Sequence, residues 1–320
     1  MLSEFDKTVY IPIDALVYRN DSLRTFDVFW KAGDGKIALY CSKGENLSLD
    51  LKAKLELKYL TKKLYVRKQD KASYDHYIEM RLQEILGTEN MSTEVKASAA
   101  FGTIKRIANE LFANPKAGII RRWKQSILNT MDFVLSDHNA FHRLMQMTMT
   151  DNTLYDHCVN VGILGMGLAA EMLKNDIEFD YDEAVPAFFL HDIGKCALPV
   201  EVLRKQKTFT SLDWTLMKRH PAEGCEILRK NGMLTEEAHI IVGQHHERHD
   251  GSGYPRGLKG SEIHLYATLC ALADVFDGLT SQRPYHSEHS TFGALRIMQK
   301  EMRREFDPKL FAMFVSLFGE

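Results

Sequence analysis

The sequence predicts a mainly α-helical protein, in which an all-helical C-terminal bundle is preceded by a small α/β N-terminal domain. Short runs of β-branched and aromatic residues, separated by turn signals, occur within the first 86 residues. From about residue 137 to the end, apolar residues recur at helical spacing instead, and there is no good strand candidate. At 320 residues the chain is long enough for about two domains.

The N-terminal domain, residues 1–86, should contain short strands and two helices. We predict strands over residues 8–16, 26–31, 36–40 and 64–66. Ser48 could cap the first helix, and Asp70 opens the second, which continues to Ile85. The domain has no Gly-rich phosphate loop and no catalytic constellation, so its sequence does not indicate what it binds.

Residues 87–136 are predicted to form a helical connector that is interrupted near Asn114-Pro115. Its apolar face is suited to packing, and a homodimer surface is one option for it. The remaining segment, residues 137–320, carries the candidate functional residues.

Composition excludes several functional classes. The formal net charge is -2, so the chain lacks the basic field of a protein that binds duplex nucleic acid. No run approaches 18 apolar residues and the N-terminus lacks a signal-peptide pattern, so we expect a cytoplasmic protein without a membrane span. The five scattered cysteines are typical of reduced thiols.

Residues 190–195, LHDIGK, place a His-Asp pair at the end of an apolar helix. We expect Gly194 to adopt the left-handed conformation that terminates this helix. An imidazole and a carboxylate that leave an apolar element lose hydration, and a metal ion is a common compensation. For His191 and Asp192 alone, a helix end that happens to be polar is the alternative.

Further histidines and one carboxylate occupy core-facing or helix-end positions. They are His157, His220, His245, His246 and Asp274. Each alone could be a hydrogen-bonded core residue or a helix cap. Together with His191 and Asp192, they would leave an apolar bundle with polar groups that have no evident partner, which predicts metal binding. Imidazole and carboxylate without thiolate suit iron, manganese, zinc, nickel or cobalt, and this many ligands suits two ions that share a carboxylate.

Several separated motifs resemble those of the HD-GYP family of metal-dependent phosphodiesterases. They are HDIGK at 191–195, HHER at 245–248, DGSGYPRGL at 250–258, ADVFD at 273–277, LTS at 279–281 and RPY at 283–285. Their order and spacing make the resemblance specific over roughly residues 137–320. It implies an all-helical HD-domain bundle that hydrolyses the bacterial messenger cyclic di-GMP to linear pGpG, or onward to GMP.

The resemblance also implies a role for each matching residue. His157, His191, Asp192 and Asp274 would bind one divalent ion, and Asp192 would bridge it to a second ion held by His220, His245 and His246. Iron is the first expectation for these ions, manganese the second, with zinc or nickel as alternatives.

The substrate would contact four residues around the metals: Lys195, Tyr254, Arg283 and His286. Asp192 and Lys195 are the expected catalytic residues, since Lys195 would stabilise charge on the scissile phosphate. In the family the glycine-rich loop around Tyr254 forms a lip of the site and has been associated with contacts to diguanylate-cyclase domains. The alternative is a structural turn in which Tyr254 only packs on the bundle.

Two positions depart from the family pattern. Family members with a third metal carry a glutamate where this chain has Thr153, so we expect a binuclear site with pGpG as the main product. His286 replaces the usual Arg or Lys, which predicts a weaker, pH-sensitive phosphate contact. The alternatives are an HD-type phosphohydrolase that acts on another nucleotide, and a catalytically weak, metal-loaded module that binds cyclic di-GMP or docks a partner.

Overall fold

The computed structural model describes residues 3–4, 6–13, 25–31, 36–45, 64–148, 154–203, 205, 208–233, 235–281 and 289–319. By its internal contacts the chain divides into two compact units, residues 1–103 and 104–320. The division into segments at residues 86 and 136 stays a prediction.

The first unit is built on an antiparallel sheet. Its strands are β1 (Ser3–Glu4), β2 (Tyr10–Ile13), β3 (Val28–Lys31), β4 (Lys36–Cys41) and β5 (Leu64–Arg67). The strands lie in the order β1-β4-β3-β5-β2, and every neighbouring pair is antiparallel. Strands β2 to β5 fall on the segments that the sequence predicts. The helix predicted from Ser48 lies outside the described residues.

Two short helices cover this sheet, α1 (Lys71–Met80) and α2 (Leu82–Gly87). The sequence predicts one helix here, but Arg81 leaves the helical region with φ -112° and ψ 7°. Its guanidinium instead binds Glu84, with Nε 2.8 Å from Oε2. The fully buried Phe26 packs edge to face against Tyr74 and Tyr77, which joins the helices to the core of the sheet.

The second unit is helical, and beyond β5 the described residues contain no further strand. The helices are α3 (Thr93–Ala113), in which the boundary between the units falls, α4 (Ala117–Ser136), α5 (Ala140–Met147), α6 (Leu154–Lys174), α7 (Tyr181–Leu190), α8 (Val200–Leu203), α9 (Ser211–Met217), α10 (His220–Lys230), α11 (Glu236–Gln244), α12 (Leu265–Thr280), α13 (Thr291–Lys300) and α14 (Pro308–Ser316). The predicted interruption near Asn114-Pro115 is confirmed. Among the described residues, no helix is both long and apolar enough to cross a membrane.

Helix α7 lies at the centre of this unit, with every residue from Ala184 to Leu190 buried. It starts at Asp180, whose side chain accepts a hydrogen bond from the backbone N–H of Glu183 at 3.2 Å. It packs against α6 and α11, and α12 packs against both of those helices. The His-Asp pair directly follows the C-terminal end of this buried helix.

Gly194 does not adopt the left-handed conformation that the sequence analysis predicts. It lies in a short 3₁₀ helix, Ile193–Ala197, and its φ is not positive. A Cβ added to Gly194 would lie 1.9 Å from the carbonyl oxygen of His220 and 2.5 Å from the backbone nitrogen of Gly224. Glycine is needed here because the first turn of α10 approaches this backbone too closely for any side chain.

Gly194→Ala should therefore lower the free energy of unfolding by about 3 kcal/mol, at the upper end of the cost of overpacking a core. Gly102→Ala is a matched control, since a Cβ at this position of α3 meets no atom within 4 Å. The control should be neutral or stabilising by up to about 1 kcal/mol, because alanine favours the helix. Chemical denaturation of both variants measures this difference. Equal free energies of unfolding for the two variants would contradict the close approach at Gly194.

Candidate metal centre

The structure brings all seven histidines and aspartates singled out as ligands to one place. They fall into two groups, Asp192 with His220, His245 and His246, and His157 with His191 and Asp274. Within each group the ligand atoms lie within 4.8 Å of one another. The ligands come from α6, α7, α10, α11 and α12 or from the residues that directly follow them.

The carboxylate of Asp192 lies between the two groups, and each of its oxygens faces a different one. Oδ1 is 3.2 Å from Nε2 of His220 and 3.8 Å from Nε2 of His245. Oδ2 is 3.5 Å from Nε2 of both His157 and His191. This is the position that a carboxylate shared by two ions requires.

Backbone carbonyls fix the tautomers of three histidines. The Nδ1 atoms lie 2.8 Å from the oxygen of Phe188 for His191, 2.7 Å from that of Met217 for His220, and 3.0 Å from that of Val242 for His245. Each Nδ1–H donates to its carbonyl, so each Nε2 carries a lone pair. These lone pairs all point into the centre, as they do in histidines that bind metal ions.

Two observations indicate that this arrangement fits a cation. Nε2 of His220 and Nε2 of His245 lie only 3.1 Å apart, and their two lone pairs repel each other unless a positive charge lies beside them. Oδ1 of Asp192 is buried, yet it has no hydrogen-bond partner within the described part of the chain. Imidazole and carboxylate ligands of this kind suit divalent transition metals.

Cys158 also lies beside His191 and Asp192, but its chemistry makes it a poor ligand. Burial raises the pKa of this thiol well above its usual value, with the carboxylate of Asp192 adding to the shift. In the metal-free protein the thiol is protonated, and a metal would have to displace this proton in order to bind the sulfur. The ligands assigned to the centre are therefore the histidine nitrogens and the aspartate oxygens.

Burial keeps the imidazoles of the first group neutral. It lowers the pKa of His220 to about 4, and it holds the pKa values of His245 and His246 well below their usual value. Burial by itself would raise the pKa of Asp192, but the charge of Lys195 and the neighbouring His191 hold it well below its usual value. At neutral pH this group therefore presents an ionised carboxylate and free imidazole lone pairs.

His157 is oriented by Asp277, a residue that the sequence analysis did not identify. Oδ2 of Asp277 lies 2.6 Å from Nδ1 of His157, and its Oδ1 accepts a hydrogen bond from Asn160 Nδ2 at 2.9 Å. Burial alone would lower the pKa of His157, but Asp274 and Asp277 raise it to about 9. The available signal was a second carboxylate three residues after Asp274 in a helix that is otherwise apolar.

Tyr254 lies against the centre. Its ring stacks on His246 with centroids 4.6 Å apart and an interplanar angle of 29°. The preceding Gly253 lies directly on the backbone of the histidine segment, since a Cβ added there would be 2.4 Å from the carbonyl oxygen of His246. The glycine-rich loop thus closes on the ligands, and only a residue without a side chain allows this approach.

A buried glutamate that sequence reasoning also missed holds this loop in place. Glu247 is 2% exposed. Its two carboxylate oxygens accept hydrogen bonds from the backbone N–H groups of Arg256, at 2.7 Å, and Leu258, at 2.9 Å. The residue directly after the two adjacent histidine ligands therefore fixes the loop that carries Tyr254.

Lys195 pairs through Nζ with Oδ2 of Asp192, so its charge lies at the centre. The other predicted substrate contacts, Arg283 and His286, lie outside the described residues. So does Thr153, whose predicted consequence for a third metal stays a prediction.

Comparison with known proteins agrees with this fold. Residues 168–310 match the protein family described as HD domain. A cyclic di-GMP phosphodiesterase of Pseudomonas aeruginosa is 37% identical over 186 residues, which cover 58% of this chain and 44% of the relative. A 3'3'-cGAMP-specific phosphodiesterase of Vibrio cholerae is 36% identical over 152 residues, which cover 47% of this chain and 27% of the relative.

Among solved structures, Bd1817 of Bdellovibrio bacteriovorus, described as a HDG"Y"P protein, matches with a TM-score of 0.66. The match covers 97% of this chain and 100% of that one at 22% identity, so the likeness concerns the fold alone.

Residues 168–310, which lie within the second unit, thus correspond to an HD domain. Its motifs resemble those of the HD-GYP family, and several relatives are named as cyclic di-GMP phosphodiesterases. The chain spans less than half the length of either of the two phosphodiesterases described above.

Metal binding at neutral pH should release about one proton from His157, because its pKa in the metal-free protein is about 9 and the metal displaces that proton. The affinity of the protein for the metal should rise with pH up to about 9 and then level off. In Asp277→Asn the pKa of His157 should fall, so that fewer protons are released. Calorimetry in buffers of different ionisation enthalpy counts the protons. Unchanged proton release in the variant would contradict the role of Asp277.

Glu247→Gln should loosen the loop, because the amide has one acceptor oxygen for two backbone N–H groups and places an NH₂ donor against the other. We expect a local loss of about 2 kcal/mol and at least tenfold faster amide exchange at Arg256 and Leu258. Glu262→Gln is the matched control, since this exposed glutamate accepts a single backbone N–H, from Lys259 at 2.8 Å. Equal exchange rates in both variants would show that Glu247 does not hold the loop.

Proposed function

We propose that this protein is a metal-dependent phosphodiesterase that hydrolyses cyclic di-GMP to linear pGpG. The observation that carries the proposal is the carboxylate of Asp192, whose oxygens face two separate groups of histidines at 3.2–3.8 Å. A carboxylate shared between two ion sites suits the hydrolysis of phosphate esters. Relatives named as cyclic di-GMP phosphodiesterases support the substrate class.

The metal site of the proposal has two halves. His157, His191, Asp192 and Asp274 would hold one ion, while Asp192, His220, His245 and His246 would hold the other. Bound divalent ions would supply Lewis acidity toward the phosphoryl oxygens and toward the attacking water. Iron is our first choice for the ions, then manganese, with zinc or nickel as alternatives.

The chain's own residues bind and orient the diester. Lys195 has its ammonium on Asp192 at the edge of the centre, where it can stabilise negative charge on the phosphate that is attacked. Tyr254 lies against His246, where its side chain can contact the substrate. Arg283 and His286 are the remaining proposed contacts, and their assignment rests on the sequence resemblance alone.

Thr153 replaces the glutamate of a third metal site, which makes pGpG rather than GMP the main expected product. Since cyclic di-GMP is a messenger inside bacteria, the proposal includes a signalling role in the cytoplasm. Contacts of the glycine-rich loop with diguanylate-cyclase domains and a homodimer remain predictions.

A second candidate substrate is 3'3'-cGAMP, because relatives named as specific for it also match the chain, at 36–38% identity. The two messengers differ in one purine base, and both contain two phosphodiester groups. The non-enzymatic alternative is a catalytically weak module that binds cyclic di-GMP without cleaving it.

The test is metal content by elemental analysis on protein purified without oxygen, with turnover of cyclic di-GMP and of 3'3'-cGAMP followed on the same sample. We expect two ions per chain and pGpG as product. Asp192→Asn should lose most of the metal and lower turnover at least about 1000-fold, since this residue serves both ions. Wild-type metal content and activity in this variant would contradict the shared-ligand assignment.

Lys195→Met is the matched variant, because it removes the proposed phosphate contact without removing a ligand. It should keep the metal and lower kcat about 100-fold or more. Tight binding of cyclic di-GMP by the metal-loaded wild type without any product would favour the binding module. Cleavage of 3'3'-cGAMP alone would move the proposal to that substrate.

A further inference from the structure

Lys218 lies beside the metal centre, although no motif includes it. It caps the C-terminal end of α9, two residues before the ligand His220, and its backbone N–H donates to the oxygen of Trp214 at 2.9 Å. Its ammonium lies over the ring of Tyr254, 5.3 Å from the centroid. Since Tyr254 stacks on His246 at 4.6 Å, this ammonium is no more than about 10 Å from the ring of a metal ligand.

The charge of Lys218 is available to a ligand. Its side chain is exposed, and within the described part of the chain its ammonium makes no ion pair. Four other cations of the second unit form ion pairs. Lys195 pairs with Asp192, Lys205 with Asp213, Arg219 with Glu223 at 2.6 Å, and Arg248 with Glu305 at 3.3 Å.

A cyclic dinucleotide presents a requirement that the metal centre cannot meet alone. It contains two phosphodiester groups, and only one of them can lie at the centre while it is attacked. The second phosphodiester group keeps its negative charge and lies one nucleotide away from the group that is attacked. A cation at that distance, held in place by an aromatic ring, would favour the cyclic dinucleotide over a substrate with a single phosphate.

We propose that Lys218, held over Tyr254, binds the phosphate of the cyclic dinucleotide that lies away from the metal ions. This makes it a specificity-determining residue, and the inference rests on the proposed function. The competing explanation is structural, in that Lys218 only steadies Tyr254 through the cation–π contact. That explanation predicts the same loss for every substrate, whereas phosphate binding predicts a loss for the cyclic dinucleotide in particular.

The experiment compares two substrates on the metal-loaded full chain, cyclic di-GMP and bis(p-nitrophenyl) phosphate, which has a single diester. Lys218→Met should lower the ratio of their kcat/KM values about fivefold, mainly through the KM for cyclic di-GMP, as expected for one exposed charge contact. That KM should also rise less with salt in the variant than in the wild type. Lys218→Arg should keep the ratio within about twofold.

Lys230→Met is the control, since Lys230 is an exposed lysine at the opposite end of α10, about 15 Å along the helix from His220. It should leave the ratio and the salt dependence unchanged. An unchanged ratio in Lys218→Met, or equal losses on both substrates, would overturn the proposal. A wild type that cleaves the single diester but not cyclic di-GMP would overturn the proposed function itself, and this inference with it, before any variant is compared.

Discussion

The apposition of imidazole lone pairs inside an apolar helical bundle is the constraint on which the second unit depends. His220 and His245 point Nε2 atoms at each other across 3.1 Å, and the carboxylate of Asp192 is buried between them and two further histidines. Such a centre is unfavourable without a cation, because lone pairs repel and buried charge lacks solvation. The stability of this bundle and its capacity for metal should therefore be coupled.

The helices around the centre hold the ligands rather than merely enclosing them. Carbonyl groups at the ends of α7, α9 and α11 fix three tautomers, and Asp277 on α12 fixes the orientation of His157. Gly194 allows the start of α10 to approach the His-Asp pair. Because each constraint comes from a different element, the ligand geometry depends on the packing of the whole bundle.

The loop of Tyr254 would connect this centre to the proposed substrate. Glu247, the residue after the histidine pair, accepts hydrogen bonds from two backbone N–H groups of the loop. The ring of Tyr254 is therefore held on His246 by the same segment that supplies two of the proposed ligands. Lys218 reaches the same ring from the segment that leads to His220. His246, the ring of Tyr254 and the ammonium of Lys218 thus lie next to one another, as the proposed binding of a substrate with two phosphates would require.

The amino-acid pattern predicted the helical class of the second unit, the interruption of the helices near Asn114-Pro115, and the set of polar residues that converge in an apolar bundle. Helical periodicity and helix ends are encoded by residues a few positions apart, so they can be predicted from the chain. The packing of the helices was needed to show that Gly194 allows a close approach and that Asp277 binds His157, 120 residues away. Contacts of this kind depend on how helices pack, and no local pattern records which faces will meet.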